Sequence, residues 1–430
     1  MLDLHEFITQ ADYAPHYDSL EAYYEGTKRL DALGVTLPPK MRLLEMVAPF
    51  PRLSVDVLAE ILVPAGFAMA RGHDIPDKIR EWWGANNLEA EVPRAIREAL
   101  VQGAAYFIVG HGEDGVPRIS VHTRKGISTR YDHMGRLAEA IKRYDIGDVS
   151  YAAHYLPGRV DYYVLNGGWK LYDSIDTGTD RPTLIPMYNK VRIDDRTGRS
   201  EIVEIATITD AASRSLTNLQ VAQETLSMPQ RYMAGKDIGK AIAANASGVE
   251  GGTIEKEAAL LKAYFSALWI GPEGTNFGQL PGADLSQIIN SYKLYAQIVS
   301  SVTGIPPAML GISTDNPSSA EALRTAKDRL VTRAEDKQRS FGGAIVEAMR
   351  VALDMYDVAD FKDSAALELR WRDPADANTA SQKAALMQAH AQGIISAETA
   401  REGLGLTPEQ LAREREEDAK EYPRVGAING

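Results

Sequence analysis

The sequence predicts an α+β chain that is predominantly helical, and three observations carry the prediction. Before residue 180, two pairs of strand-like runs are joined by turn signals. After residue 200, long stretches repeat apolar residues at spacings of three and four, the period of one helix face. The chain has 430 residues, 44% hydrophobic and 25% charged. That balance is ordinary for a folded protein, and the length suits roughly two to three domains.

The N-terminal part is mixed. Arg52–Arg71 alternates apolar runs with Pro64 and Gly66, and a helical segment carrying Trp82 and Trp83 follows. AIREALVQG reads as a short helix stopped by Gly103. AAYFIVG is a strand, rich in aromatic and β-branched residues, which GEDG returns into VPRISVHT as a hairpin. A second hairpin is expected where VDYYVL and GWKLYDS flank Asn166-Gly167, the dipeptide favoured for positive φ in tight turns.

SEIVEIATITDAASRSLTNLQVAQETLSMPQR pulls two ways. Its first half is β-branched, which favours a strand. Yet Ile202, Ile205, Thr209, Ala212, Leu216, Leu219, Ala222 and Leu226 make a helical stripe, Ser200 can cap it and Pro229 can end it. A helix from about Ser200 to Met228 is therefore expected. Residues 229–281 are rich in Gly, Ala and Asn, with one helix-like piece, IEKEAALLKAYFSAL, and a Gly-rich segment, GPEGTNFGQLPG. Asp284 and Gln287 then resemble a capping box ahead of a stripe of Leu285, Ile288, Ile289, Tyr292, Tyr295, Val299 and Val302, with Gly304 at the C-cap.

The stretch TGIPPAMLGISTDNPSSAEALR, 303–324, is too stiff and apolar for a linker and too long for a turn. Beyond it Ser318 and Glu321 form another capping box, and Leu323, Ala326, Leu330, Ala334, Phe341, Ile345, Met349, Ala352 and Tyr356 keep helical spacing. At 1.5 Å per residue such a helix is about 60 Å long, and Gly342-Gly343 marks the expected kink. In the tail, one helix ends at Gly393, Ser396 starts another and Thr407-Pro408-Glu409 caps a third.

The chemistry the chain can support is narrow. It has no cysteine, which excludes disulfides and thiolate metal sites. MLDLHEFITQ lacks the basic and apolar regions of a signal peptide, and no run reaches the roughly 20 apolar residues of a membrane span. A net charge of −12 disfavours tight nucleic-acid binding through a large basic face, while leaving room for contact with DNA that must slide. GPEGTNFG lacks the Gly-Lys-Ser/Thr ending of a phosphate loop and reads as a turn-rich loop. His111, His122 and His133 stand eleven apart with no metal-ligand spacing, and no G-x-S-x-G elbow occurs. Catalytic residues, metal ligands and cofactor are all expected to be absent. The charged face of the long helix (Arg324, Lys327, Asp328, Arg329, Arg333, Glu335, Asp336, Lys337, Arg339) mixes signs and reads as solvated, or as bridging between subunits.

A collinear series of segments resembles the portal proteins of tailed double-stranded-DNA bacteriophages, particularly those infecting actinobacteria. It runs through WWGANNLE, REALVQGAAYFIVG, RYDHMGRLAEAIKRYD, IPMYNK with GRSEI, SMPQRYMAG, FGQLPGADL, VTGIPPAMLGISTDNPSSAEALR, FGGAIVEAMRVAL and QGIISAETAREGLGLTPEQL. The resemblance implies a ring, usually dodecameric, around a DNA channel at a capsid vertex. In that ring 1–199 is an α+β wing, 200–228 and 282–303 are two stem helices, and 229–281 is a clip. Residues 304–318 are a tunnel loop, 319–375 a long kinked helix with the rest of the wing, and 376–430 a short C-terminal crown. Ile305, Pro306, Pro307, Met309, Leu310, Ile312, Ser313, Thr314, Asp315 and Asn316 are then the expected channel residues. The implied partners are further copies of the chain, double-stranded DNA, a terminase packaging motor, the major capsid protein and a head-completion adaptor, with no membrane. The implied location is the virion, and the host cytoplasm during assembly. The rival readings are a capsid or tail scaffold protein without a channel, and an α+β enzyme with an unrecognised site.

Overall fold

The computed structural model describes residues 4–11, 15–31, 39–69, 77–112, 115–226, 231–234, 276–279, 284–312, 320–357, 367–375, 380–406 and parts of 410–418. The chain divides into two units, the first of residues 1–30, 47–212 and 293–430, the second of residues 31–46 and 213–292.

The first unit opens with helices α1 (Leu4–Gln10), α2 (Pro15–Glu25) and α3 (Phe50–Ile61), strand β1 (Pro64–Met69), and helices α4 (Asp77–Ala85) and α5 (Leu88–Gln102). Gly103 ends α5 at φ +84, and a Cβ there would stand 3.0 Å from the Arg199 and Gly198 backbone. Both the left-handed conformation and the close approach demand glycine. The chain then enters β2 (Ala104–Gly110), which pairs with β3 (Arg118–Thr123) on one side and β9 (Leu184–Tyr188) on the other. This is the first predicted hairpin, with Gly110 opposite Arg118.

A second sheet is an antiparallel meander of β4 (Ile127–Tyr131), β5 (Leu137–Ile146), β6 (Val149–Leu156), β7 (Arg159–Leu165) and β8 (Trp169–Asp176). The period-two alternation of a strand sorts its side chains. Ala140 and Ala153 join Tyr106, Tyr155 and Tyr188 in one core, while their neighbours Ile141 and Ala152 take Phe7 and Ile8 of α1. Burying large apolar side chains such as Phe7, Ile8 and Ile141 contributes about 1.5–3 kcal/mol each.

Strands β4 to β6 were not anticipated, although two of their turns are written in the sequence. Ile146 faces Val149 across Gly147-Asp148, and Leu156 faces Arg159 across Pro157-Gly158, with φ +60 and +84 at the glycines. Asn166-Gly167 does turn a hairpin, but as a three-residue loop closed by Leu165 and Trp169. The positive φ falls on Gly167 and Gly168, and the Asn166 N–H donates to the Gly168 carbonyl at 2.9 Å.

Instead of one helix from Ser200, a 3-10 turn spans Glu201–Glu204, capped by the Ser200 hydroxyl accepting from the Ile202 N–H. Ile205 interrupts, and α6 runs Ala206–Leu226. The predicted stripe is buried at Ile202, Ile205, Thr209 and Ala212. Helix α7 covers Ser286–Thr303, and Asp284 closes its N-terminus. That carboxylate accepts from the N–H and hydroxyl of Ser286 rather than engaging Gln287.

Within the second unit, the Met46 N–H donates to the Thr217 hydroxyl at 3.0 Å. There β10 (Arg231–Ala234) pairs antiparallel with β11 (Asn276–Gln279). NFGQ is therefore strand, not turn, whereas IEKEAALLKAYFSAL lies outside the described residues.

Back in the first unit, α8 runs Ala320–Met355, packs on β9, β2 and α3, and leads to β12 (Leu367–Trp371), which pairs with β1. The Ser318 half of the second capping box lies outside the described residues. Leu330, Ala334, Phe341, Ile345, Met349 and Ala352 are buried as predicted. Helices α9 (Ala380–Ala391) and α10 (Ala397–Gly403) complete the described tail. Gly393 sits at φ +72 after α9, and the Ser396 hydroxyl accepts from the Thr399 N–H before α10. The third predicted tail cap, 407–409, lies outside the described residues.

Candidate functional site

The segment that the sequence singled out, 304–318, begins at the end of α7. Gly304 has φ +74, and its N–H donates to the Ser300 carbonyl, as a helix C-cap requires. A Cβ on Gly304 would stand 2.9 Å from Arg329 Cγ, so glycine also clears a path for that side chain. Ile305 and Pro306 turn inward, Ile305 being 2% exposed. Pro307–Leu310 forms a 3-10 turn that ends at Gly311, φ +77. Leu310 is 5% exposed.

Burial takes Ile305, Pro306 and Leu310 out of reach of anything outside the chain. The expected channel residues therefore divide, and the apolar side chains of these three are drawn into the core of the first unit. Pro307 is half-buried, Met309 is exposed and Ile312 is half-buried. Ser313, Thr314, Asp315 and Asn316 lie outside the described residues.

The root of this loop is gripped by α8. An α-helix leaves its last carbonyls without intrahelical partners, and cations there also favour the helix dipole. Arg329 donates to the carbonyls of Ser301 and Val302. Arg333, one turn further on, donates to Val302 at 3.2 Å and Thr303 at 2.6 Å.

The other end of the Arg333 guanidinium binds Glu201 Oε2. Glu201 Oε1 takes Lys337 Nζ at 2.8 Å and Asn189 Nδ2 at 2.8 Å. Lys337 donates in turn to Asn189 Oδ1, and Asn189 Nδ2 to the Arg199 carbonyl. Arg329, Arg333 and Lys337 thus form a row at i, i+4, i+8 along one edge of α8. Burial alone would raise the Glu201 pKa, but Lys337 and Arg333 outweigh it and hold the carboxyl below the usual carboxylate range.

Sequence reasoning placed Lys337 on a solvated face, but it is 6% exposed. The signal was available, because Lys337 stands between Ala334 and Phe341 at spacings of three and four, inside the apolar stripe. Asn189 and Glu201 carried no comparable signal.

A family model described as "Phage portal protein, SPP1 Gp6-like" matches residues 5–423. The chain belongs to the phage portal protein family. Two "Portal protein" relatives come from Mycobacterium phages D29 and L5. The first is 32% identical over 419 residues, covering 93% of this chain and 84% of the relative. The second is 30% identical over 418 residues, with the same coverage.

Two solved structures share the fold. One, titled "Neck of native GTA particle computed with C12 symmetry", has a TM-score of 0.50 at 14% identity, covering 92% of this chain and 95% of that one. The other, "Neck of empty GTA particle computed with C6 symmetry", has 0.50 at 16%, covering 92% and 94%. The function read from the sequence, a portal ring subunit at a capsid vertex, is the function of this family, which is structural and not enzymatic.

One row of side chains in this portal chain has the residue types of a hydrolase. Ser120 Oγ lies 2.8 Å from His122 Nε2, and His122 Nδ1 lies 2.7 Å from Lys142 Nζ. The ammonium has only protons to offer, so Nδ1 accepts, and Nε2 must carry the hydrogen toward Ser120. The serine is therefore an acceptor and is not activated. Burial, helped by the Lys142 charge, lowers the His122 pKa to about 4, which keeps the ring neutral. Among the described residues there is no group of three or more acidic or histidine side chains that could hold a metal, and no helix is long and apolar enough to cross a membrane.

Of the two adjacent glycines of α8, one has a packing role. Helix α8 is continuous through Gly342 and Gly343. A Cβ on Gly342 would stand 3.1 Å from Trp371 Nε1, whereas one on exposed Gly343 would meet nothing within 4 Å. Gly342 makes room for β12, and Gly343 costs helix propensity with no packing return in this chain. Gly343→Ala should raise the unfolding free energy by up to about 1 kcal/mol. Gly342→Ala should not, because the indole has to shift. Chemical denaturation of the two variants side by side checks this.

Proposed function

We propose that the chain is the subunit of a twelve-copy portal ring in which 304–318 is the tunnel loop, with Met309 and the stretch from Ile312 to Asn316 turned toward the duplex. Ile305, Pro306 and Leu310 serve as its anchor. The wing is then 1–199, the stem helices 200–228 and 282–303, the clip 229–281, the long wing helix with its strand 319–375, and the crown 376–430. The ring carries no catalytic activity of its own. It docks a terminase motor, the major capsid protein and a head-completion adaptor, and it assembles in the host cytoplasm before entering the virion.

The observation that carries this reading is the contrast within one short segment. Ile305, Pro306 and Leu310 are buried and two arginines hold the helix end before them, while Met309, set between the buried residues, is exposed. A loop that meets a moving duplex needs such a fixed base, and the prolines reduce the entropy lost on ordering it. The chain's net charge of −12 fits a channel that must let phosphates slide.

The absence of cysteine makes the test clean. A photoactivatable maleimide on Met309→Cys should crosslink to DNA in filled heads, and the same label on Ile193→Cys, at a site 99% exposed in the proposed wing, should not. Equal yields at the two positions, or none at position 309, would remove the loop from the channel.

A further inference from the structure

We infer that Arg329, Arg333 and Glu201 are positioning residues: they tie the root of the 304–318 loop to α8, so that the loop's placement follows that helix. The inference rests on the tunnel-loop reading, and it adds a mechanical connection that the reading does not contain.

Three successive carbonyls at the end of α7, those of Ser301, Val302 and Thr303, are all taken by guanidinium groups from α8. The chain reverses immediately afterwards at Gly304, whose missing Cβ admits the Arg329 stem. Local bonds stiffen the same corner. The Ser300 hydroxyl donates to the Ile305 carbonyl at 2.6 Å, and the Ile305 N–H donates to the Thr303 hydroxyl.

Arg333 reaches both ways. One arm of its fork holds Thr303, and the other holds Glu201 in the 3-10 turn that precedes α6. A planar guanidinium spreads its donors over a rigid fork that can span two separated acceptors, whereas a lysine ammonium gathers its donors on one atom at the end of a flexible stem. Glu201 is itself fixed by Lys337 and Asn189. Any displacement of α8 along or about its axis therefore pulls on the loop root directly.

The variant that isolates this role is Arg333→Gln. Glu201 then keeps Lys337 and Asn189, so no buried carboxylate is stranded. Arg329→Gln serves as a second variant, since its guanidinium holds backbone carbonyls rather than the buried Glu201. Each is built on Met309→Cys. The readouts are ring mass, melting temperature, maleimide labelling rate at position 309 in DNA-free rings, and DNA packaged in heads.

The expected result is intact rings with a several-fold change in labelling at position 309 and reduced packaging, and Arg333→Lys should not restore either. A merely structural role predicts lowered melting with unchanged labelling in those rings that do form. Unchanged labelling in intact rings of both variants would overturn the inference, as would full rescue by lysine. Altered labelling with normal packaging would leave the tie to α8 standing and would instead count against the loop's contact with DNA.

Discussion

Replacing Ile312–Asn316 with two glycines should yield rings that assemble and do not package DNA. The structure dictates where the cut begins. Ile305, Pro306 and Leu310 are buried, and the 3-10 turn of Pro307–Leu310 closes at Gly311, so a deletion starting at Met309 would tear out part of the core. Beginning at Ile312 keeps the Gly304 cap, both arginine clamps and the buried anchor. Closing a shorter loop changes chain entropy only slowly, by about 0.6 kcal/mol for each doubling of length, so melting should barely move. Packaged DNA should collapse to the level of heads lacking the protein. Normal packaging would mean that the deleted residues face away from the channel, and unfolded protein would mean that they belong to the core.

Glu201→Ala should be the most damaging single substitution in the described core. It removes the shared acceptor of Lys337 and Arg333 and leaves two cations facing each other where Lys337 is 6% exposed. Breaking a buried ion pair from one side typically destabilises by about 3–5 kcal/mol, a large part of a domain's total stability of about 5–15 kcal/mol. Glu201→Gln keeps an oxygen for Lys337 and should lose less.

The pH dependence has a definite sign. The Glu201 carboxyl is held below the ordinary carboxylate range in the folded chain. Its contribution is therefore fully present above the pKa it has when unfolded, and is lost as pH falls through the folded value. Denaturant titrations at neutral and acid pH should show wild type and Glu201→Ala converging in acid. Parallel curves at both pH values would mean that the carboxylate is not the source of the effect.

Much of the fold was legible because it follows from local rules. Leu330, Ala334, Phe341, Ile345, Met349 and Ala352 announce one face of α8 by spacing alone, and Gly103 and Gly304 announce their helix ends. Strands β4 to β6 were overlooked although Gly147 and Pro157-Gly158 mark their turns, since RYDHMGRLAEAIKRYD carries no strict alternation. The break at Ile205 has no signal in the local spacing, and the residues that hold Glu201 beside it include Arg333 and Lys337, more than a hundred positions away. The same limit applies to the candidate site. The spacing of prolines and glycines marked 304–318 as a special loop, but which of its residues are anchor depends on long-range packing against the first unit. Lys337 differs from these. A charge at a core position of an apolar stripe requires a buried partner, so its spacing alone carries the information.

The most direct test of the central claim is the mass and shape of the purified chain. Native mass measurement with negative-stain imaging at micromolar concentration should give one closed ring, many times the 47.0 kDa of a single copy, with a central hole. A heterologous interface that closes on itself produces such a particle. A population consisting only of monomers or dimers would contradict the portal ring account.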